Sequence, residues 1–294
     1  MSDEKSLKYN EPWILQRADP YVYRHTDGSY YFTASVPAYD GIVLRRAGSL
    51  AELSGAEEVM IWKKHESGPM SYHIWAPEIH YLFGKWYIYF AGGEKEDIWK
   101  IRPYVLECSG DDPLTDEWVE LGKMKRAAED EFSFEAFSLD ATVFENKGEY
   151  YYVWAEKVGV GKMISNLYIA KMESGNQLKT VQVLLTTPDY DWERKGFWVN
   201  EGPAVIHHDG KMFLTYSASE TGVDYCVGML SIDEDADILD PRLWKKERYP
   251  VLKTCEKLGI YGPGHNSFTM DEDGNDVMVY HARTEAEING DPLY

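Results

Sequence analysis

Cysteine is scarce in this chain: three residues, Cys108, Cys226 and Cys255, odd in number and widely spaced. No CxxC pair occurs, so neither a zinc site nor a disulfide framework is indicated, and free thiols suit a reducing compartment. Long apolar runs are also missing, and no stretch could span a bilayer as a helix. The opening residues, Met1-Ser2-Asp3-Glu4-Lys5, lack the basic and apolar regions of a secretion signal. The expectation is therefore a cytoplasmic protein, secreted only if a signal has been removed. Basic residues are few, 30 Lys and Arg against 50 Asp and Glu, for a net charge of -20 spread along the chain. That balance opposes contact with nucleic acid or a membrane surface, which basic patches recognise. Helical periodicity is wanting almost everywhere; Leu50 to Leu53 could form a turn of helix, but no long stretch keeps a 3.6-residue period.

What the chain does have is aromatic rings, 22 Tyr and 10 Trp among 294 residues. Such rings suit half-buried strands and also offer flat faces for sugars. They recur in a phrase: a turn ending in glycine, then an aromatic, alternating strand. The copies are Asp27-Gly28 before Ser-Tyr-Tyr-Phe-Thr-Ala, Phe83-Gly84 before Lys-Trp-Tyr-Ile-Tyr-Phe, and Lys147-Gly148 before Glu-Tyr-Tyr-Tyr-Val-Trp. Two more follow, Asp209-Gly210 before Lys-Met-Phe-Leu-Thr-Tyr and Asp273-Gly274 before Asn-Asp-Val-Met-Val-Tyr. Each glycine also follows a short apolar strand, which makes the unit a hairpin. Further alternating stretches, such as Gly41 to Leu44 and Leu167 to Ala170, lie between hairpins. Four strands per repeat and five repeats predict an all-β fold, a five-bladed β-propeller. No linker divides the chain, so residues 1–294 read as one domain. The last repeat is short: either the N-terminal segment supplies strands to the fifth blade or the chain continues beyond Tyr294, and the reading favours truncation.

The innermost strand of each propeller blade lines the central channel, so residues where those strands begin should converge at its mouth. Upstream of the five glycines stand Asp19, Glu78, Asp140, Glu201 and His265. Crowded, buried carboxylates push one another's pKa values apart, and one acid can stay protonated while another is ionised. Glycosidic bond cleavage needs that division of labour. Clustered oxygens also suit calcium, which is the competing chemistry.

These residues sit in segments that resemble the ordered signatures of glycoside hydrolase family 43: Ala18-Asp19-Pro20-Tyr21-Val22, Trp75-Ala76-Pro77-Glu78, Ser138-Leu139-Asp140-Ala141, Asn200-Glu201-Gly202-Pro203 and Gly262-Pro263-Gly264-His265-Asn266. The similarity spans nearly the whole chain. It implies an inverting mechanism in which Asp19 is the general base, Glu201 the general acid, and Asp140 tunes and orients the acid. Acid and base of inverting enzymes stand about 6.5–9.5 Å apart to admit water. The same resemblance places His265 at the channel centre, beside a calcium or sodium ion held through water, with no cofactor required for the chemistry. It turns Arg283 towards the sugar.

Tyr31 to Pro37 and Leu44-Arg45-Arg46-Ala47 look similar to the exo-acting α-L-arabinofuranosidase branch, which implies an arabinose-containing oligo- or polysaccharide as partner. Phe32, Trp75 and Glu78, with His265 and Arg283, are the candidate substrate contacts, and Trp99 is a further candidate wall. The β-xylosidase and endo-arabinanase branches carry the same three acids and remain alternatives, as does a propeller that binds glycan without cleaving it. The Asn-Asp-Pro-Asn and Arg-Asp-Pro signatures of fructoside-cleaving propellers do not occur.

Overall fold

A computed structural model describes residues 11–159 and 162–287. Its described residues are strands and turns, with four short 3-10 helices and no α-helix. Strands β1 (Ala18–Arg24), β2 (Tyr30–Ser35), β3 (Gly41–Ala47) and β4 (Val59–Lys63) form a sheet in sequence order. Strands β5 (Tyr72–Leu82), β6 (Lys85–Glu94), β7 (Asp97–Cys108) and β8 (Val119–Lys123) repeat the pattern. A third group holds β9 (Ser138–Asn146), β10 (Glu149–Gly159), β11 (Met163–Ser174), β12 (Gln177–Leu178) and β13 (Val183–Thr186). The fourth holds β14 (Trp198–His208), β15 (Lys211–Ala218), β16 (Cys226–Asp233) and β17 (Lys245–Lys246). These two groups join into a nine-stranded sheet through a short parallel pairing of Ile164 with Trp198 and Ser165 with Val199. Last come β18 (Tyr261–Met270) and β19 (Asp276–Arg283), an antiparallel pair. The hairpin turns fall at the five repeat glycines, all with positive φ.

Apolar side chains fill the spaces between successive sheets. Ile42, Leu44 and Trp62 pack on Ile79, Trp86 and Leu106. Tyr89 and Val105 meet Tyr152, Trp154 and Tyr168. Val153, Leu167 and Ile169 meet Met212, Leu214 and Leu230, while Val22, Tyr30 and Phe32 adjoin Val277 and Val279 of the last pair. The repeating aromatic strand thus supplies the glue between neighbours, each large buried ring contributing about 3–5 kcal/mol against truncation to Ala.

The first strands touch one another in turn: β1 packs against β5 and β18, β9 against β5 and β14, and β14 against β18. Each carries one extra residue at the same place. Ala18 and Tyr21 face Ser35 and Thr33, and Trp75 and Glu78 face Ala91 and Tyr89. Leu139 and Thr142 face Ala155 and Val153, Glu201 and Ala204 face Ser217 and Thr215, and Gly264 and Ser267 face His281 and Val279. The residue entering each bulge has a positive φ: Asp19 at 54°, Ala76 at 46°, Asp140 at 51°, Gly202 at 54° and His265 at 43°. A non-glycine residue held there costs on the order of 1–3 kcal/mol, and a bulge re-aims its side chain out of the strand's alternation.

Candidate active site

The bulges bring Asp19, Asp140, Glu201 and His265 together. His265 Nδ1 lies 3.0 Å from Asp19 Oδ1 and 3.7 Å from Asp140 Oδ2. Ser35 Oγ donates to Asp19 Oδ2 at 2.5 Å, and His281 Nδ1 stands 3.4 Å from Oδ1. The Tyr225 hydroxyl donates to Glu201 Oε1 at 2.8 Å. The backbone N–H of Gly202 donates to the Asp140 carboxyl, so the residue after the one acid holds the other.

The five candidate positions do not sit alike in their bulges. Asp19, Asp140 and His265 enter the bulge, but Glu201 stands one residue before it and Glu78 two residues beyond Ala76. Glycine and alanine fill the bulge in those two strands, so the carboxylates come from flanking positions. Glu78 is buried and bound to His80, Oε2 to Nε2 at 2.8 Å, and Tyr21 Oη is 3.3 Å from the other nitrogen of that ring.

Electrostatics separates the acids. Burial pushes the Asp19 carboxyl up, but the charge and hydrogen bonds of His265 and His281 outweigh it and hold the group well below the usual range. Burial also opposes a charge on His265, yet Asp19, Asp140 and Glu201 hold its imidazole up to about 10. Burial raises Asp140 well above the ordinary value; His265 pulls it back, while Glu201 and Asp19 push it further up. Glu201 is likewise raised by burial and by Asp19, against the Tyr225 hydroxyl, His265 and Lys157. Burial pushes the His281 imidazole down, against the pull of Asp19. The cluster therefore combines an ionised carboxylate, an imidazolium and a carboxyl pair inclined to keep a proton.

Other candidates are placed as follows. Arg283 ends β19, buried, where its charge bears on His281. Trp75 lies against His73 at 4.3 Å, Tyr39 at 5.8 Å and Trp99 at 6.4 Å between ring centroids, and Trp99 is 61% exposed. Phe32 is corrected: it is 1% exposed, packed with Val22, Leu50 and Leu53 and edge-on to Trp13 at 6.1 Å, because it points to the core face of β2. No sugar can reach that ring.

For the cation expected at His265, the donor set gives little. Among the described residues no group of three or more His, Cys, Asp or Glu side chains is arranged to hold a metal ion. The Nδ1 of His265 is turned to Asp19.

Sequence reasoning missed the residues that hold the bulges. Ser35 Oγ accepts from Ala76 N at 2.8 Å, Ser217 Oγ from His265 N at 2.6 Å, and His281 Nδ1 from Asp19 N at 3.0 Å. All three stand opposite the residue that precedes a bulge, and each serves the bulge of the next first strand. Aligning second strands of the repeats would have exposed the pattern. Tyr225 belongs to no motif.

The sequence profile of Glycosyl hydrolases family 43 matches residues 9–293. The chain belongs to glycoside hydrolase family 43. Among family 43 relatives, it is 50% identical over 98% of its length to an "Extracellular exo-alpha-(1->5)-L-arabinofuranosidase" of Streptomyces avermitilis, spanning 59% of that protein. It is 48% identical over 97% of its length to a protein of the same name from Streptomyces chartreusis, spanning 85% of that one. A crystal structure of α-L-arabinofuranosidase from Lactobacillus brevis superposes with a TM-score of 0.89 at 51% identity, covering 97% of this chain and 89% of that one. Two relatives are thus named extracellular, which overturns the expectation of a cytoplasmic protein. Free thiols are tolerated outside reducing compartments, and three scattered cysteines carried too little weight to decide.

Proposed function

We propose that this chain is an inverting exo-α-L-arabinofuranosidase that acts outside the cell on arabinose-containing oligo- or polysaccharides. In this reading residues 1–294 form one catalytic domain, a five-bladed propeller. The succession of contacts from β1 through β5, β9, β14 and β18 back to β1 supports the five blades. Asp19 is the general base, kept ionised by His265 so that it can take a proton from water. Glu201 is the general acid, its proton retained by burial until the departing oxygen receives it. Asp140 shares the proton of that pair and, through Gly202, orients the strand that carries the acid. Side chains alone supply this chemistry, which needs no cofactor.

The observation that carries the reading is the opposed displacement of two carboxyls within one buried cluster, Asp19 downwards and Glu201 upwards. A site that only bound glycan has no use for a carboxyl pushed up against an ionised partner. The names of the relatives supply the sugar. The test is a parallel assay of nitrophenyl α-L-arabinofuranoside, nitrophenyl β-D-xyloside and linear arabinan, with the anomer of the product followed by NMR. Arabinose released from the first and third, initially as the β-anomer, is the expected result. Dominant xyloside cleavage or a retained anomer would overturn the assignment.

A further inference from the structure

A cation outside the family signatures feels the charge of Glu201. Lys157, on β10, is half-buried, and its Nζ stands 3.8 Å from the centre of the Phe137 ring. Its backbone N–H also donates to the Phe137 carbonyl at 2.9 Å. Both ends of the residue are thereby fixed to one aromatic, immediately before the strand that delivers Asp140. Phe137 and Trp75 pack on the same small cluster, Ala91, Ile101 and Leu139. Trp75, with the exposed Trp99 against it, and Phe137, with the lysine over its face, thus flank the same small cluster. Among the described residues the ammonium has no ion-pair partner, and the charge that bears on it is that of Glu201.

A general acid protonates the oxygen that leaves, so the departing sugar lies on the acid's side of the cleaved bond. The Lys157 ammonium has three N–H donors, and among the described residues no carboxylate pairs with it. Desolvation by the ring face favours a partner that accepts hydrogen bonds without adding charge, and sugar hydroxyls do so. We propose that Lys157, seated on Phe137, grips the departing sugar unit through its hydroxyls and so selects a glycan over a simpler leaving group. This rests on the reading of Glu201 as the acid.

The experiment compares the intact chain with Lys157→Met and Lys157→Arg on an arabino-oligosaccharide and on nitrophenyl α-L-arabinofuranoside, which has no sugar on the departing side. Loss of a hydrogen bond to a charged donor lowers kcat/KM by about tenfold or more. Lys157→Met is expected to lose that much on the oligosaccharide, mainly through KM, while staying within about twofold on the nitrophenyl substrate. Lys157→Arg should keep most of the oligosaccharide activity. Equal losses on both substrates, or none on either, would overturn the proposal. So would an unchanged KM with a displaced alkaline limb, which would make Lys157 a tuner of Glu201 instead. Silence of the unaltered protein on both substrates would sink the functional reading itself, an outcome distinct from those.

Discussion

His265 and Asp19 face each other at 3.0 Å in a buried pocket, an imidazolium against a carboxylate drawn from opposite ends of the chain. Burial alone would raise Asp19, so the histidine is what keeps the proposed base in its ionised form. In His265→Gln the counter-charge is gone and burial prevails. The acid limb of kcat/KM against pH should then move to higher pH. An unmoved limb would separate the base from this histidine.

The same pair makes stability depend on pH. A folded-state pKa of about 10 for His265 exceeds the ordinary value of about 6.5. Its contribution is therefore complete below about pH 6.5 and lost as the pH rises through about 10. The urea midpoint of the intact protein should fall across that window, and His265→Gln should flatten the decline.

Removing the acid should be rescued chemically, and removing the base should not. Glu201→Ala is expected to fold and to lose about 10²–10⁴-fold on arabinan oligosaccharides. It should retain far more on an aryl arabinoside whose leaving group needs no proton. Asp19→Ala should fail equally on both. Kinetics on the two substrates decide the matter, and equal losses in Glu201→Ala would withdraw its role.

Tyr225→Phe deletes the hydrogen bond that favours the ionised form of Glu201. The groups left facing that carboxyl are His265 and Lys157, which lower it, with Asp19 and Asp140 against it. Its pKa should rise further, and the alkaline limb of the rate profile should shift upwards. A downward shift would contradict the geometry.

Gly202 has a φ of 54°, and a Cβ there would lie 3.1 Å from His265 Cγ. Gly202→Ala combines backbone strain with pressure on the central imidazole. A loss of about 1–3 kcal/mol in urea unfolding is expected, together with reduced kcat. Full stability and activity would show that the bulge relaxes freely.

The hairpins and the segments that bring Asp19, Asp140 and Glu201 together were legible in the sequence because each depends on local chemistry. Gly28, Gly84, Gly148, Gly210 and Gly274 mark turns that only positive φ permits, and Asp19, Asp140 and Glu201 lie in distinctive segments. The one-residue offsets of Glu201 and Glu78 were not legible, because a bulge is defined by the partner strand's register. Phe32 was misplaced for a related reason: in a strand of six buried residues, alternation cannot tell the core face from the site face. Tyr225 reaches Glu201 from a loop, and Lys157 owes its place to Phe137. Both relations exist only in three dimensions.

The backbone of Asp19 is held by His281, 262 positions away, and the two ends are laced further by Ser267 to Pro20, Tyr30 to Met270 and Arg24 to Asp271. Contacts of such long sequence separation form late and slowly. A nascent chain can therefore complete its first four groups of strands with every carboxylate present and still lack an ordered Asp19. Competence arrives with the final hairpin, so hydrolysis should appear during refolding as a delayed phase, after most of the strand signal has been recovered.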